Sequence, residues 1–121
     1  MTKEEAVQRL KALREKAERA RTLLEADLRS PAVRVEAQST FQSLKGELKS
    51  EYKRMSSLRS QRNMEASELY FFKPAIQEAW ADTGISSLHS DALPTVRWKQ
   101  PIEAVSFKIK YYLDQLERNA S

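Results

Sequence analysis

The sequence predicts an all-α protein: a long antiparallel helical hairpin, coiled-coil-like in its spacing, with a smaller aromatic-rich helical unit at the C-terminal end packed on it. Three observations carry this expectation. Large apolar residues at Val33, Ala37, Phe41, Leu44, Leu48, Tyr52, Met55 and Leu58 recur at steps of three and four, which keeps one stripe on one face of a helix. A second stripe precedes it at Ala6, Leu10, Leu13, Ala17, Ala20, Leu24 and Leu28. Aromatic residues then concentrate downstream: Phe41 and Tyr52 lie before residue 64, whereas Tyr70, Phe71, Phe72, Trp80, Trp98, Phe107, Tyr111 and Tyr112 follow it. A helix from Val33 to Leu58 is about 39 Å long, longer than a small domain is wide, so other segments must lie along it.

A chain of 121 residues has room for one domain with one modest core. Charge divides it as the aromatics do: residues 1–64 hold 15 basic and 9 acidic side chains, net +6, and residues 65–121 hold 6 and 8, net −2. The expected organisation is therefore a two-helix arm over 1–62 and a C-terminal helical unit over 67–121, with an ordered loop at 85–100.

Taken in order, Thr2-Lys3-Glu4-Glu5 reads as a capping box that starts the first helix. Three of the seven residues of its stripe are alanines, which admit a close partner helix with large side chains. At Arg29-Ser30-Pro31, Ser30 suits an N-cap and Pro31 the first helical position, so the chain turns back or kinks there. A hairpin lets the two stripes cover one another. On the second helix, small residues at Ser39, Ser43, Gly46, Ser50, Ser57 and Ser60 line the face opposite the apolar stripe, with Lys53 at the one missing step. The first reading of this face is a solvated one; the alternative is a second packing seam for the C-terminal unit or another subunit, which Gly46 mildly favours because a glycine inside a helix costs about 1 kcal/mol relative to alanine. Lys45, Lys49 and Lys53 form a like-charged row on one shoulder, and Glu47 and Glu51 lie on the other; each row is better satisfied by opposite charge on a neighbouring helix.

Residues 61–66 are polar and aperiodic and mark the end of the arm. Leu69, Phe72, Ile76, Ala79 and Trp80 share a helical face, but Pro74 removes a hydrogen bond and collides with the Tyr70 carbonyl, which predicts a kink or a helix starting at Pro74. Gly84 is a natural stop. From Ile85 to Gln100 an irregular segment is expected, anchored by Leu88, Leu93, Val96 and Trp98. The last helix starts at Gln100-Pro101 with Glu103 in its first turn, and Ile102, Val105, Ile109, Tyr112, Leu113 and Leu116 form its core stripe. Phe107 and Tyr111, one turn apart, point nearly opposite to that stripe, so they are either covered by the preceding loop or form a contact surface for another molecule.

Motifs for chemistry are largely missing. Without cysteine there are no disulfides and no thiolate chemistry. His89 is the sole histidine, which excludes histidine-rich metal sites, and the neighbours Ser87, His89, Ser90 and Asp91 lack the strand–turn–helix context of a nucleophile elbow. Two glycines, Gly46 and Gly84, are too few for a phosphate loop or a dinucleotide fingerprint. Tyr70 would serve as a catalytic phenol only if buried beside a cation. No apolar run approaches the roughly 18 residues of a membrane span, and no secretion signal is visible, so Asn119-Ala120-Ser121 is read as a chance match to the glycosylation pattern and a cytoplasmic protein is expected.

The function expected is that of a non-enzymatic helical scaffold or adaptor, without cofactor or metal and not associated with a membrane. It is expected to bind protein partners, first of all itself as a homodimer. Candidate contacts are Phe107, Tyr111 and the Ser43, Gly46, Ser50 face. The less favoured alternative is a nucleic-acid-associated accessory factor contacting phosphates through Lys45, Lys49, Lys53, Arg54, Arg59 and Arg62, although carboxylates interrupt that stripe and no known nucleic-acid-binding signature accompanies it.

Overall fold

The computed structural model describes residues 1–57, 64–88 and 95–118. Four α-helices, α1 (Lys3–Glu25), α2 (Pro31–Ser57), α3 (Lys73–Ala81) and α4 (Lys99–Arg118), pack together, with no strand among the described residues. A π-helical turn at Glu68–Phe72 leads into α3, and short 3-10 turns at Ile85–Ser87 and Val96–Trp98 lie between α3 and α4. Leu58, Ser60, His89, Ser90, Asp91, Leu93 and the Asn119-Ala120-Ser121 tripeptide, all singled out by the sequence, lie outside the described residues.

The start of α1 follows the capping chemistry: the Thr2 hydroxyl accepts from the Glu5 N–H at 3.2 Å, and Glu4 and Glu5 place negative charge at the positive end of the helix. The helix ends at Glu25, a turn earlier than the stripe implies. Leu28 thus belongs to the connection, where it still packs against the core. That connection is built by Asp27, whose carboxylate accepts from the Arg29 N–H at 3.0 Å while its carbonyl accepts from the Ser30 N–H at 3.1 Å. Pro31 is then the first residue of α2, where a missing N–H costs nothing.

α1 is the shared element, packing against both α2 and α4, and α3 completes the arrangement by packing against α2 and α4. Its buried side chains are Ala6, Leu10, Leu13, Ala17, Ala20 and Leu24. They face Phe41, Leu44, Leu48 and Met55 of α2 and Ile102, Val105, Ile109, Leu113 and Leu116 of α4 within one contiguous core, which Phe72, Ala75, Ile76 and Ala79 close from the other side. Charged side chains on the rims register these contacts. Toward α2, Arg9 meets Glu51 at 3.1 Å, Lys16 meets Glu47, and Arg19 meets Glu36; toward α4, Lys11 meets Glu117 at 3.6 Å, Ser106 donates to Glu18 at 2.7 Å, and Lys99 meets Glu25 at 3.2 Å. Progress along α1 therefore meets progressively earlier residues of each neighbour. The acidic row Glu47 and Glu51 finds the opposite charge that its spacing calls for.

Pro74 breaks nothing, because the chain enters α3 through a widened turn. Glu68–Phe72 is π-helical, and the Lys73 N–H bonds to the Glu68 carbonyl, one residue further back than in an α-helix. Widening before the proline relieves the collision with the Tyr70 carbonyl, and Pro74 falls in the first turn of α3 where it is tolerated. α3 ends at Ala81, with Asp82 as its C-cap and the Thr83 hydroxyl donating to the Ala79 carbonyl at 2.6 Å; Gly84, three residues on, turns the chain into the next 3-10 turn with φ +85°, a left-handed conformation open to glycine at no steric cost. The segment expected to be irregular carries two 3-10 turns that bury Ile85 and Trp98, and Trp98 stacks on Phe41 with ring centroids 4.2 Å apart. α4 begins at Lys99 rather than at Pro101. Glu103 therefore lies beyond the first turn, where it pairs with Lys99 at 3.9 Å instead of facing the helix end.

Because Ala17 is fully buried where α1 meets its neighbours, Ala17→Leu is expected to overpack the seam and cost about 1–3 kcal/mol. Ala12→Leu, on the exposed side of α1, is the control and should be near neutral in urea denaturation.

Candidate protein-interaction surfaces

α4 carries two faces. Its core stripe is buried, and Ser106 joins it by donating its hydroxyl to Glu18. That bond, followed by Arg21, holds the Glu18 carboxyl below the ordinary carboxylate value. On the opposite face, Phe107 is 67% exposed and Tyr111 53% exposed. Among the described residues nothing buries either ring. A groove of about 320 Å³ beside Phe107 is lined by Arg14, Glu18, Arg21, Glu103 and Lys110, so the aromatic pair sits in a charged rim.

Tyr112 links the exposed and buried faces. Its ring meets Tyr111 edge-on with centroids 5.1 Å apart, its hydroxyl donates to the Glu78 carboxylate of α3, and Lys108 meets the same carboxylate at 3.2 Å. Burial first, then the hydrogen bond and negative charge of Glu78, push the Tyr112 phenol up to about 12.

The small-residue face of α2 is exposed but partly engaged by α1, whose Lys16 ammonium donates to the Ser43 hydroxyl at 3.0 Å. Ser43, Gly46 and Ser50 are exposed, and a Cβ built on Gly46 would meet nothing within 4 Å. The C-terminal segments instead reach α2 from the other flank, through Trp98 on Phe41, Trp80 against Tyr52 with centroids 6.1 Å apart, and the Lys45 ammonium donating to the Leu88 carbonyl. Of the two packing partners that the sequence allows for this face, the described C-terminal residues reach α2 elsewhere. Next to Gly46 and Ser50, a groove of about 410 Å³ between α1 and α2 is lined by Arg9, Ala12, Glu47 and Glu51.

The basic stripe is divided. Lys45 is half-buried and spent on Leu88; Arg54 meets Glu51 at 3.1 Å and the buried Glu68 at 3.3 Å, and lies 5.8 Å over the Phe72 ring. Lys49 and Lys53 are exposed, and Arg59 and Arg62 lie outside the described residues. Two exposed apolar residues escaped the sequence reading as surface features: Val35 on α2 and Tyr70 on the π-helical turn. Val35 stands outside its helix stripe, which is the signal that marks it; Tyr70 is too exposed for the buried phenol that catalysis would require. Among the described residues no cluster of three or more His, Cys, Asp or Glu is placed to hold a metal ion, and no helix is long and apolar enough to cross a membrane.

Comparison with known proteins finds no matching family model, no matching curated protein and no matching solved structure. The surfaces themselves are what any functional reading must use.

Two measurements probe these sites. Gly46→Ala is expected to raise stability by about 0.5–1 kcal/mol in chemical denaturation, since the added methyl meets open space and the chain loses helix-breaking freedom. For Tyr112, a raised phenol favours the folded state below pH 10, and that contribution is lost as pH climbs from 10 to about 12. Ultraviolet absorbance titration should show an ionisation near 12 that is missing from Tyr112→Phe, and the stability gap between the two proteins should narrow across the same interval.

Proposed function

We propose that this protein is a non-enzymatic helical scaffold that works through protein–protein contact and associates with itself through the outer face of α4. The observation that carries this reading is the exposure of Phe107 and Tyr111 one turn apart on a helix whose core stripe is already filled. Full burial of a large apolar side chain is worth about 1.5–3 kcal/mol, so leaving two aromatic rings in water forgoes a stabilisation that a partner surface would recover. Aromatic anchors within a charged rim are also the usual composition of an interface centre.

In this reading α1 and α2 form an antiparallel hairpin that holds the rest rigid, supported by the reversed order of the Arg9–Glu51, Lys16–Glu47 and Arg19–Glu36 pairs. The Ser43, Gly46, Ser50 face is a secondary contact: Ser43 is held by Lys16 of α1, and the open space beside Gly46 allows close approach of another backbone. The nucleic-acid reading has weaker support, because Lys45 and Arg54 are used inside the fold and an interrupted row of cations gains little from counterion release.

Light scattering over a concentration series checks the proposal. Wild type is expected to form a dimer, and Phe107→Ser/Tyr111→Ser a folded monomer with unchanged circular dichroism. A wild type that stays monomeric throughout removes the self-association reading.

A further inference from the structure

Resting on the reading of α4 as the self-association face, we infer that two copies pair α4 against α4 in one particular antiparallel register. It seats Phe107 over Ala104 of the second copy and sets Glu103 against Lys110 of the second copy, twice by symmetry. The outer face of α4 has its own seam: Gln100, Ala104, Phe107, Tyr111, Asp114 and Arg118 recur at alternating steps of four and three, the spacing that lets two helices interlock along a line. Its centre is apolar and its ends are polar. Glu103 and Lys110, seven residues apart, lie together on the α1 side of the seam; both are exposed, and Lys110 has no hydrogen bond or ion pair among the described residues.

Charge decides between the pairings that this seam allows. Parallel helices would bring Asp114 onto Asp114 and Arg118 onto Arg118 at the C-terminal end of the seam. An antiparallel pairing of Phe107 with Tyr111 would set Glu103 against Glu117 and Lys110 against Lys110. Sliding that pairing by one heptad puts the Phe107 ring on the small Ala104 and replaces the three like-charged contacts, Glu103–Glu117 twice by symmetry and Lys110–Lys110 once, by two Glu103–Lys110 pairs. Flanking charges of this kind choose partner and register more than they add raw affinity, and two attractions in place of three repulsions favour the slid register roughly tenfold or more. The occupant of the surface is therefore a second copy of this chain, and Ala104 is the hole for its Phe107.

The test is charge exchange, read by sedimentation at low salt with circular dichroism to confirm folding. Glu103→Lys alone and Lys110→Glu alone should each weaken dimerisation roughly tenfold, because each creates like-charged pairs across the interface. The double exchange should restore it, and mixing the two single variants should give a heterodimer about as tight as wild type. This mixture also separates an interface effect from any loss caused by removing the Glu103–Lys99 contact within one helix. If Phe107→Ser/Tyr111→Ser abolishes the dimer while both single charge variants associate as well as wild type, the register is wrong and the surface stands. Tighter association of Glu103→Lys would favour the register that faces Glu103 with Glu117, and a wild type monomeric at every concentration would overturn the surface and the register together.

Discussion

The fold depends on how closely α1 can be approached from two sides. Ala6, Ala17 and Ala20 are fully or almost fully buried, and their short side chains leave room for Phe41, Leu44 and Leu48 on one flank and for Ile102, Val105 and Ile109 on the other. Interior packing is dense enough that one extra methylene is felt, so the alanines set the distances between helices and not merely the composition of the core. With α1 shared between α2 and α4, α3 needs to cover only what remains. That is why a helix of nine residues suffices there.

Polar groups fix what apolar contact leaves free. Hydrophobic burial has no direction, and a helix of regular stripe can slide or turn by a residue without losing much area. The pairs from α1 to Glu36, Glu47 and Glu51, and from α1 to Ser106, Lys99 and Glu117, choose one registration on each side. At the end of α2 the constraint tightens: Glu68 is almost fully buried, and Arg54 supplies its counter-charge while its guanidinium covers Phe72. A buried carboxylate is costly unless paired, so the π-helical turn is held where Arg54 can reach it.

Much of this was legible from periodicity, and the misses have physical causes. The stripes of α1, α2 and α4, the Thr2 cap, the Pro31 start and the Gly84 turn follow from local chemistry that acts within a few residues. The spacing of Leu28 fits the α1 stripe, yet the Asp27 turn wins because its side chain offers the backbone a competing set of hydrogen bonds. The π-helical turn was hidden because a proline in a helical pattern predicts disruption, whereas widening the turn ahead of it is a tertiary solution made worthwhile by the burial of Phe72 and Glu68. The start of α4 at Lys99 was missed for a similar reason: burial of Trp98 on Phe41 draws the chain into helix before Pro101. For the candidate surfaces, spacing alone separated Phe107 and Tyr111 from their core stripe. It was blind to Lys45 and Arg54, since a long cation reads the same on a wet face or folded back onto a carbonyl.

The two faces of α4 bear on each other. A helix that buries Ile102, Val105, Ile109, Leu113 and Leu116 on one side is held rigidly, and Lys11, Glu18 and Glu78 tie its rims to α1 and α3. Rings carried on such a helix lose little freedom when a partner arrives, because the backbone presenting them is already fixed and each ring has only two side-chain torsions to order. In the proposed reading the contact surface is thus the outer side of a helix whose inner side is committed to the core. Tyr112, edge-on to Tyr111 and bonded to Glu78, couples the two.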